Sequence, residues 1–311
     1  MVTAFAPATV ANLNCGFDVL GLAIETPGDE VSVWWNDVGE VRIVKIEGDD
    51  GKLSYLPEEN TATGGILTMF EMVGKGSRGI DVAIKKKMPF GSGLGSSAAS
   101  AVAGVMAVNK LMGSPFTKTE LVEFALDGEV IASGSRHADN VAPSMMGGIV
   151  LIKSYHPLEI VQLPVPEGLW VTVIHPQIEI LTKEARNILP KEIGLKEAII
   201  QTGNIAGFVS ALYTGDFELM GKSMTDRFAE PYRAALIPQF DLMRTKAMLH
   251  GAISFGISGS GPSVFAFSKG EETALKVATA VKSLLNNLKI ETNSYTSAIN
   301  QSGAKAWHDL G

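Results

Sequence analysis

Pro89-Phe90-Gly91-Ser92-Gly93-Leu94-Gly95-Ser96-Ser97-Ala98-Ala99-Ser100 sets three glycines at alternate positions, then two serines, then an alanine-rich run reaching Val108. Glycine allows positive φ and lets a ligand approach the backbone with no Cβ in the way. The run behind the glycines has high helix propensity, and Ser96 or Ser97 is a suitable N-cap. Unpaired N–H groups and the positive end of a helix dipole make such a junction a phosphate site. A glycine-serine loop alone usually means a linker before a core helix. This loop is short and lies between two apolar elements, which favours the phosphate reading.

The common phosphate motifs do not fit. No stretch supplies the spacing of a Walker loop, and the third glycine of a dinucleotide fingerprint is replaced by Ser96. Composition narrows the field further. The chain has 311 residues, 46% of them apolar, enough for two domains with a shared interface. A formal charge of −7 argues against nucleic acid as the main partner but leaves an anionic nucleotide open, since local amides and a metal outweigh a distant net charge. The single cysteine, Cys15, excludes an intrachain disulfide framework and fits a reducing compartment. No signal peptide and no membrane-length apolar run is visible, so a cytoplasmic protein is expected.

The first half of the chain reads as strands at 2–6, 19–24, 31–35 and 41–46, with a further alternating strand around Ile80, Val82 and Ile84. A buried helix is expected over 98–112, a second from the Thr117/Glu120 capping box to about Leu126, and a strand at 149–152. The proline-marked stretch 157–166 is the expected domain boundary. Beyond it come strands at 169–174, 252–257, 263–267 and 290–297, with helices at 197–213, 239–250 and 271–286. The class is α+β, its sheets covered by helices on one side.

Three segments together resemble the small-molecule kinases named for galactokinase, homoserine kinase, mevalonate kinase and phosphomevalonate kinase (GHMP). They are the central loop, Ala6-Pro7-Ala8-Thr9-Val10-Ala11-Asn12-Leu13, and Gly256-Ile257-Ser258-Gly259-Ser260-Gly261-Pro262. Further strings are similar to the homoserine kinase branch: residues 12–21, Arg136-His137-Ala138-Asp139-Asn140-Val141-Ala142-Pro143, Thr182-Lys183-Glu184-Ala185-Arg186 and Glu230-Pro231-Tyr232-Arg233. The resemblance implies a two-domain fold, divided as 1–160 and 161–311. The first domain would carry a left-handed βαβ crossover of the ribosomal protein S5 domain 2 type, and the second would be ferredoxin-like. It also implies ATP and Mg²⁺, transfer of the γ-phosphate to the side-chain hydroxyl of L-homoserine on the route to threonine, and a homodimer.

Carried over residue by residue, the resemblance assigns the triphosphate to the loop from Pro89 to Ala99, the adenine to Asn60, and the metal to Ser97 and Glu129. Glu129, in Asp127-Gly128-Glu129, would otherwise read as a solvated helix residue. His137 and Asn140 share a helix face at a spacing of three and would flank the acceptor hydroxyl. With Glu129 and Arg233 they make the expected catalytic set. An amide has no useful proton affinity near neutrality, so Asn140 would orient the hydroxyl and the proton would pass to a phosphate oxygen. Asp139, roughly 100° further round a helix, is expected to take no part. A zwitterionic substrate needs an anion for its ammonium and cations for its carboxylate. Asp18, with Asn12 beside it, would supply the first, and Arg186 and Arg233 the second. Arg227 ranks behind Arg233. The alternatives are a GHMP kinase for another small alcohol and a nucleotide-sensing regulator on the same fold.

Overall fold

Alternating apolar residues in the first half of the chain pair into one sheet. The structure, a computed structural model of the single chain, describes residues 1–73 and 78–309. Strands β1 (Val2–Ala11), β2 (Leu20–Asn36), β3 (Val41–Glu47) and β4 (Gly79–Lys85) lie in the order β1-β2-β4-β3. Residues 19–24 and 31–35, expected as separate strands, are the two ends of β2. The exposed Glu25 and Thr26 carry loop character, but a register shift between Pro7 and Thr9 on β1 absorbs the irregularity, and pairing resumes on both sides. β3 and β4 are parallel, so the chain must cross over between them. Helix α1 (Thr61–Val73) makes that crossover.

Three more helices complete the layer: α2 (Ser96–Leu111), α3 (Lys118–Ser133) and α4 (Ala138–Met146). Small residues on α2 allow close packing; a Cβ on Gly104 would lie 2.0 Å from the Ala62 carbonyl oxygen of α1. The Thr117/Glu120 capping box opens α3 as expected, but the helix runs on past Leu126. Gly128 is no stop signal there. It admits α1, since a Cβ at that position would stand 2.4 Å from the Thr61 carbonyl oxygen. Glu129 therefore sits within a helix and is buried.

β5 (Ile149–Tyr155) pairs with the first residues of β2, and β6 (Leu158–Leu163) pairs with β5. The boundary expected at 160/161 thus falls inside β6. The second sheet contains β7 (Leu169–Pro176), β8 (Ser254–Ile257), β9 (Val264–Lys269) and β10 (Thr292–Ala298) in the antiparallel order β10-β7-β9-β8. Helices α5 (Thr182–Asn187), α6 (Leu195–Thr214), α7 (Phe217–Ser223), α8 (Glu230–Arg233) and α9 (Phe240–Leu249) connect β7 to β8, and α10 (Glu271–Asn287) connects β9 to β10. This is the ferredoxin-like order that the resemblance implies. The final strand, β11 (Lys305–His308), returns to pair with β1, so the division follows the sheets and not chain position.

The second sheet is apolar on both faces. Val171, Val173, Phe265 and Phe267 join the main core against the first sheet, while Ile174, Val264 and Ala266 pack with Phe240, Met243, Val277 and Val281. One ion pair fastens the start of α2 to the first sheet. Asp29 of β2 accepts from the Lys86 ammonium, and from Ser96 Oγ (3.1 Å), Ser100 Oγ (3.0 Å) and the Lys87 amide (2.9 Å). Lys86 Nζ also donates to the Ser96 carbonyl (2.9 Å) and Ser100 Oγ (2.7 Å). Both partners are buried, so losing one strands the other's charge. Asp29→Ala is expected to cost about 3–5 kcal/mol in urea unfolding, and Asp29→Ala with Lys86→Met to recover most of that loss.

Candidate active site

The glycine loop lies at the bottom of a cavity of about 410 Å³ between the two sheets. Gly91, Gly93 and Gly95 all have positive φ (58°, 75° and 68°). A Cβ on Gly93 would stand 2.4 Å from the Ser258 carbonyl oxygen, and one on Gly95 would stand 2.1 Å from Thr9 Oγ1. Gly95, not Ser96 or Ser97, occupies the N-cap of α2, so the first-turn amides carry no side-chain cap. A capping hydroxyl would have used the N–H groups that suit an anion. Phe90, Gly91, Ser92, Gly93, Gly95, Ser96 and Ser97 line the cavity. Pro89, Leu94, Ala98 and Ala99 do not; Leu94, Ala98 and Ala99 are core residues that anchor the loop. Ser92 Oγ is buried with no hydrogen-bond partner among the described residues, an orphan that a bound phosphate oxygen would satisfy.

The second glycine loop braces the first. Ser258 Oγ donates to the Gly93 carbonyl (2.7 Å), and the Ser263 amide donates to the Ser92 carbonyl (3.1 Å). Next to it, Asn12, Leu13, Asn14 and Asp18 all hold positive φ, so the turn after β1 is left-handed for three residues in succession. Side-chain bonds hold that turn. Asn14 Nδ2 donates to the carbonyls of Met224 (2.9 Å) and Phe255 (3.1 Å). Asn12 Nδ2 donates to the Gly259 carbonyl (2.9 Å), and its Oδ1 accepts from the Asp18 amide (3.0 Å). Asn12 lines the cavity, but both ends of its amide are engaged in placing Asp18.

Charges of both signs converge at this end of the cavity. Arg186 of α5 grips Asp18 with two bonds (Nη1–Oδ2 2.6 Å, Nη2–Oδ1 3.1 Å) and reaches His137 Nε2 at 3.0 Å. Arg233 is buried, donates to the Ala185 and Gly259 carbonyls, and has no ion-pair partner among the described residues. Burial first, and Arg186 second, bring its pKa down to about 10, so it stays charged near neutrality. Both guanidiniums stand over the Phe17 ring, at 5.2 and 5.4 Å from its centroid. Arg227 instead faces Glu197 and lies outside the cavity.

His137, Asp139 and Asn140 enter together at the start of α4 and all line the cavity. Asp139, roughly 100° round the helix from Asn140, borders the cavity all the same. Asp139 is buried, and its Oδ1 has no hydrogen-bond partner among the described residues. Burial, then the nearby Asp18 carboxylate, raise its pKa to about 7. Burial pushes His137 down, but the Glu129 hydrogen bond and the charges of Asp139 and Glu129 outweigh it and leave the imidazole raised. Glu129 Oε1 lies 3.7 Å from His137 Nδ1. Asn140 Oδ1 accepts from Thr9 Oγ1 at 2.8 Å.

Residues 60–148 match the model of the GHMP kinases N terminal domain, and residues 208–287 that of the GHMP kinases C terminal region. Homoserine kinase of Chlorobium phaeobacteroides (strain BS1) is 46% identical, over 98% of both chains. That of Chlorobaculum tepidum is 44% identical over 98% of this chain and 97% of its own. The crystal structure of homoserine kinase from Cytophaga hutchinsonii superposes with a TM-score of 0.96 at 50% identity, covering 98% of this chain and 97% of that one. The chain belongs to the homoserine kinase family of the GHMP kinases.

Like Pro89, Leu94, Ala98 and Ala99, Asn60, which the resemblance assigns to the adenine, does not line the cavity. Its Nδ2 donates to the Ser54 carbonyl (2.8 Å) and its Oδ1 accepts from the Ala62 amide (3.1 Å), so it shapes the entry to α1, and Thr61 faces the cavity instead. Ser97 and Glu129 do share the cavity, on the first turn of α2 and on α3. They are hard oxygen donors, and no group of three or more acidic, histidine or cysteine side chains among the described residues could hold a metal by itself. That donor set fits Mg²⁺, which takes one or two protein oxygens and completes its shell with phosphate and water. Thr9 and Phe17 lie within the family strings but, like Lys86, receive no role from residue type or spacing. Gly95→Ala, which drives a Cβ into Thr9 and Asn140, is expected to lower kcat/KM about a hundredfold in steady-state kinetics while thermal unfolding remains cooperative.

Proposed function

We propose that the protein transfers the γ-phosphate of ATP to the side-chain hydroxyl of L-homoserine, on the route to threonine, and does so by positioning without a protein base. The observation that carries this reading is one cavity with a phosphate cradle on one side and paired opposite charges on the other. The glycine-loop amides and the first turn of α2 would receive the triphosphate. Arg186 and Arg233 would hold the substrate carboxylate, and Asp18 with Asp139 its ammonium. Asn140, between the two subsites, would orient the acceptor hydroxyl. When bound at Ser97 and Glu129, Mg²⁺ would neutralise charge on the phosphates. In the transfer, the hydroxyl oxygen bonds to the γ-phosphorus, the bond to the bridging oxygen of ADP breaks, and the hydroxyl proton passes to an oxygen of the phosphoryl group.

The raised Asp139 carboxyl favours a second reading, in which that group takes the proton. The two readings separate in Asp139→Asn. An ammonium ligand predicts a higher homoserine KM with kcat retained, whereas a base predicts a collapse of kcat at unchanged KM. The ligand role also has a pH signature. Asp139 is ionised above about pH 7 in the empty site and protonated below it. The homoserine KM should therefore rise roughly tenfold from pH 8 to pH 6, and Asp139→Asn should flatten that slope.

Arg186→Ala is expected to raise the homoserine KM by about ten- to a hundredfold and to change the ATP KM little; equal effects on both would contradict its assignment. ³¹P NMR of a mixture of enzyme, ATP, Mg²⁺ and homoserine should show O-phosphohomoserine and ADP. Phosphorylation of a different alcohol in a coupled ADP assay, or ATP binding without turnover, would replace this reading with one of the alternatives.

A further inference from the structure

An asparagine can offer a reacting hydroxyl either its carbonyl oxygen or its NH₂ group, and the two ends do opposite things. Thr9 decides which end Asn140 offers. Its hydroxyl donates to Asn140 Oδ1 at 2.8 Å, and its side chain is fully buried. Thr9 Oγ1 has no other hydrogen-bond acceptor among the described residues, so turning the amide over would strand that proton away from water. The amide is held with Nδ2 as its remaining end. A Cβ at position 95 would fall 2.1 Å from Thr9 Oγ1 and 2.8 Å from Asn140 Oδ1, so the contact exists only because a glycine stands beside it.

The same residue reaches the phosphate loop. The Thr9 amide donates to the Leu94 carbonyl at 3.0 Å. The irregularity between Pro7 and Thr9 on β1 lies immediately before it, and Ser144 Oγ of α4 donates to the Pro7 carbonyl at 2.9 Å. One short stretch of β1 is thereby bonded to the loop and, twice, to the helix carrying Asn140.

We infer that Thr9 is a positioning residue for phosphoryl transfer, fixing Asn140 with its NH₂ toward the acceptor and setting that amide's distance from the phosphate loop. The inference rests on the role proposed for Asn140 as the group that orients the acceptor. With Nδ2 presented, Asn140 donates into a lone pair of the acceptor oxygen and cannot receive its proton. The second lone pair is left to attack phosphorus while the proton goes to a phosphoryl oxygen.

The test is a kinetic double-mutant cycle in the full-length enzyme. Thr9→Val keeps the volume and removes the hydroxyl. It should lower kcat about tenfold or more, with both KM values within about threefold of wild type. Thr9→Ser, which restores the hydroxyl, should return kcat to within about threefold of wild type, a rescue that a packing role for the methyl group would not give. Against Asn140→Ala, Thr9→Val should cost less than about twofold more, because its effect passes through the missing amide. Wild-type kcat in Thr9→Val, or its full loss repeated on top of Asn140→Ala, overturns the inference. Wild-type turnover in Asn140→Ala alone would instead remove the role proposed for that residue. Should valine prevent folding, Thr9→Ala compared with Thr9→Ser gives the same readout.

Discussion

Two glycine loops pressed together, main chain to main chain, are the constraint on which the rest of the structure depends. Gly93 has no Cβ, so the carbonyls of Ser258 and Gly261 approach where a side chain would stand. The bonds from Ser258 to Gly93 and from Ser263 to Ser92 then join the two sheets directly through the phosphate loop. The polar groups of the site come from both sides of this seam: Asp18, His137, Asp139 and Asn140 from the first sheet and its helices, Arg186 and Arg233 from segments connecting strands of the second. An opening of a few tenths of an ångström at the seam would move the two halves of the site relative to each other.

Much of the site's polarity is spent on holding the site. Asn12 and Asn14 tie the left-handed turn to the second sheet, Lys86 and Asp29 tie the start of α2 to the first, and Thr9 joins loop to helix. Hydrogen-bond partners offset the cost of burying such groups. Among the described residues, Ser92 Oγ and Asp139 Oδ1 are buried without a hydrogen bond, as is Asn14 Oδ1, and Arg233 has no counter-ion. Ser92, Asp139 and Arg233 border the cavity, where a ligand carrying phosphate, ammonium and carboxylate groups would complete them.

What was legible in the sequence was local. Alternation located β4, a capping box located the start of α3, and glycine spacing located the loop. What was missed came from contacts between distant segments. The helix opened by the capping box runs past Leu126, and at Gly128 within it α1 comes close to α3. β11 is a short edge strand whose partner, β1, lies at the other end of the chain, and β6 extends the first sheet through β5 into the proline-marked stretch, across the expected 160/161 boundary. The family strings named Asn60 for its type, while its amide is already used within its own turn. Rotation about a helix axis separates Asp139 from Asn140 by roughly 100°, yet both line the cavity together with His137.

The bidentate grip of Arg186 on Asp18 has a consequence for selectivity. Asp18 and Arg186 neutralise each other directly. A lone amine or a lone carboxylate that claims one member of this pair leaves the other without its partner. A molecule carrying both charges exchanges one pair for two, and is favoured over a singly charged visitor wherever that visitor engages this pair.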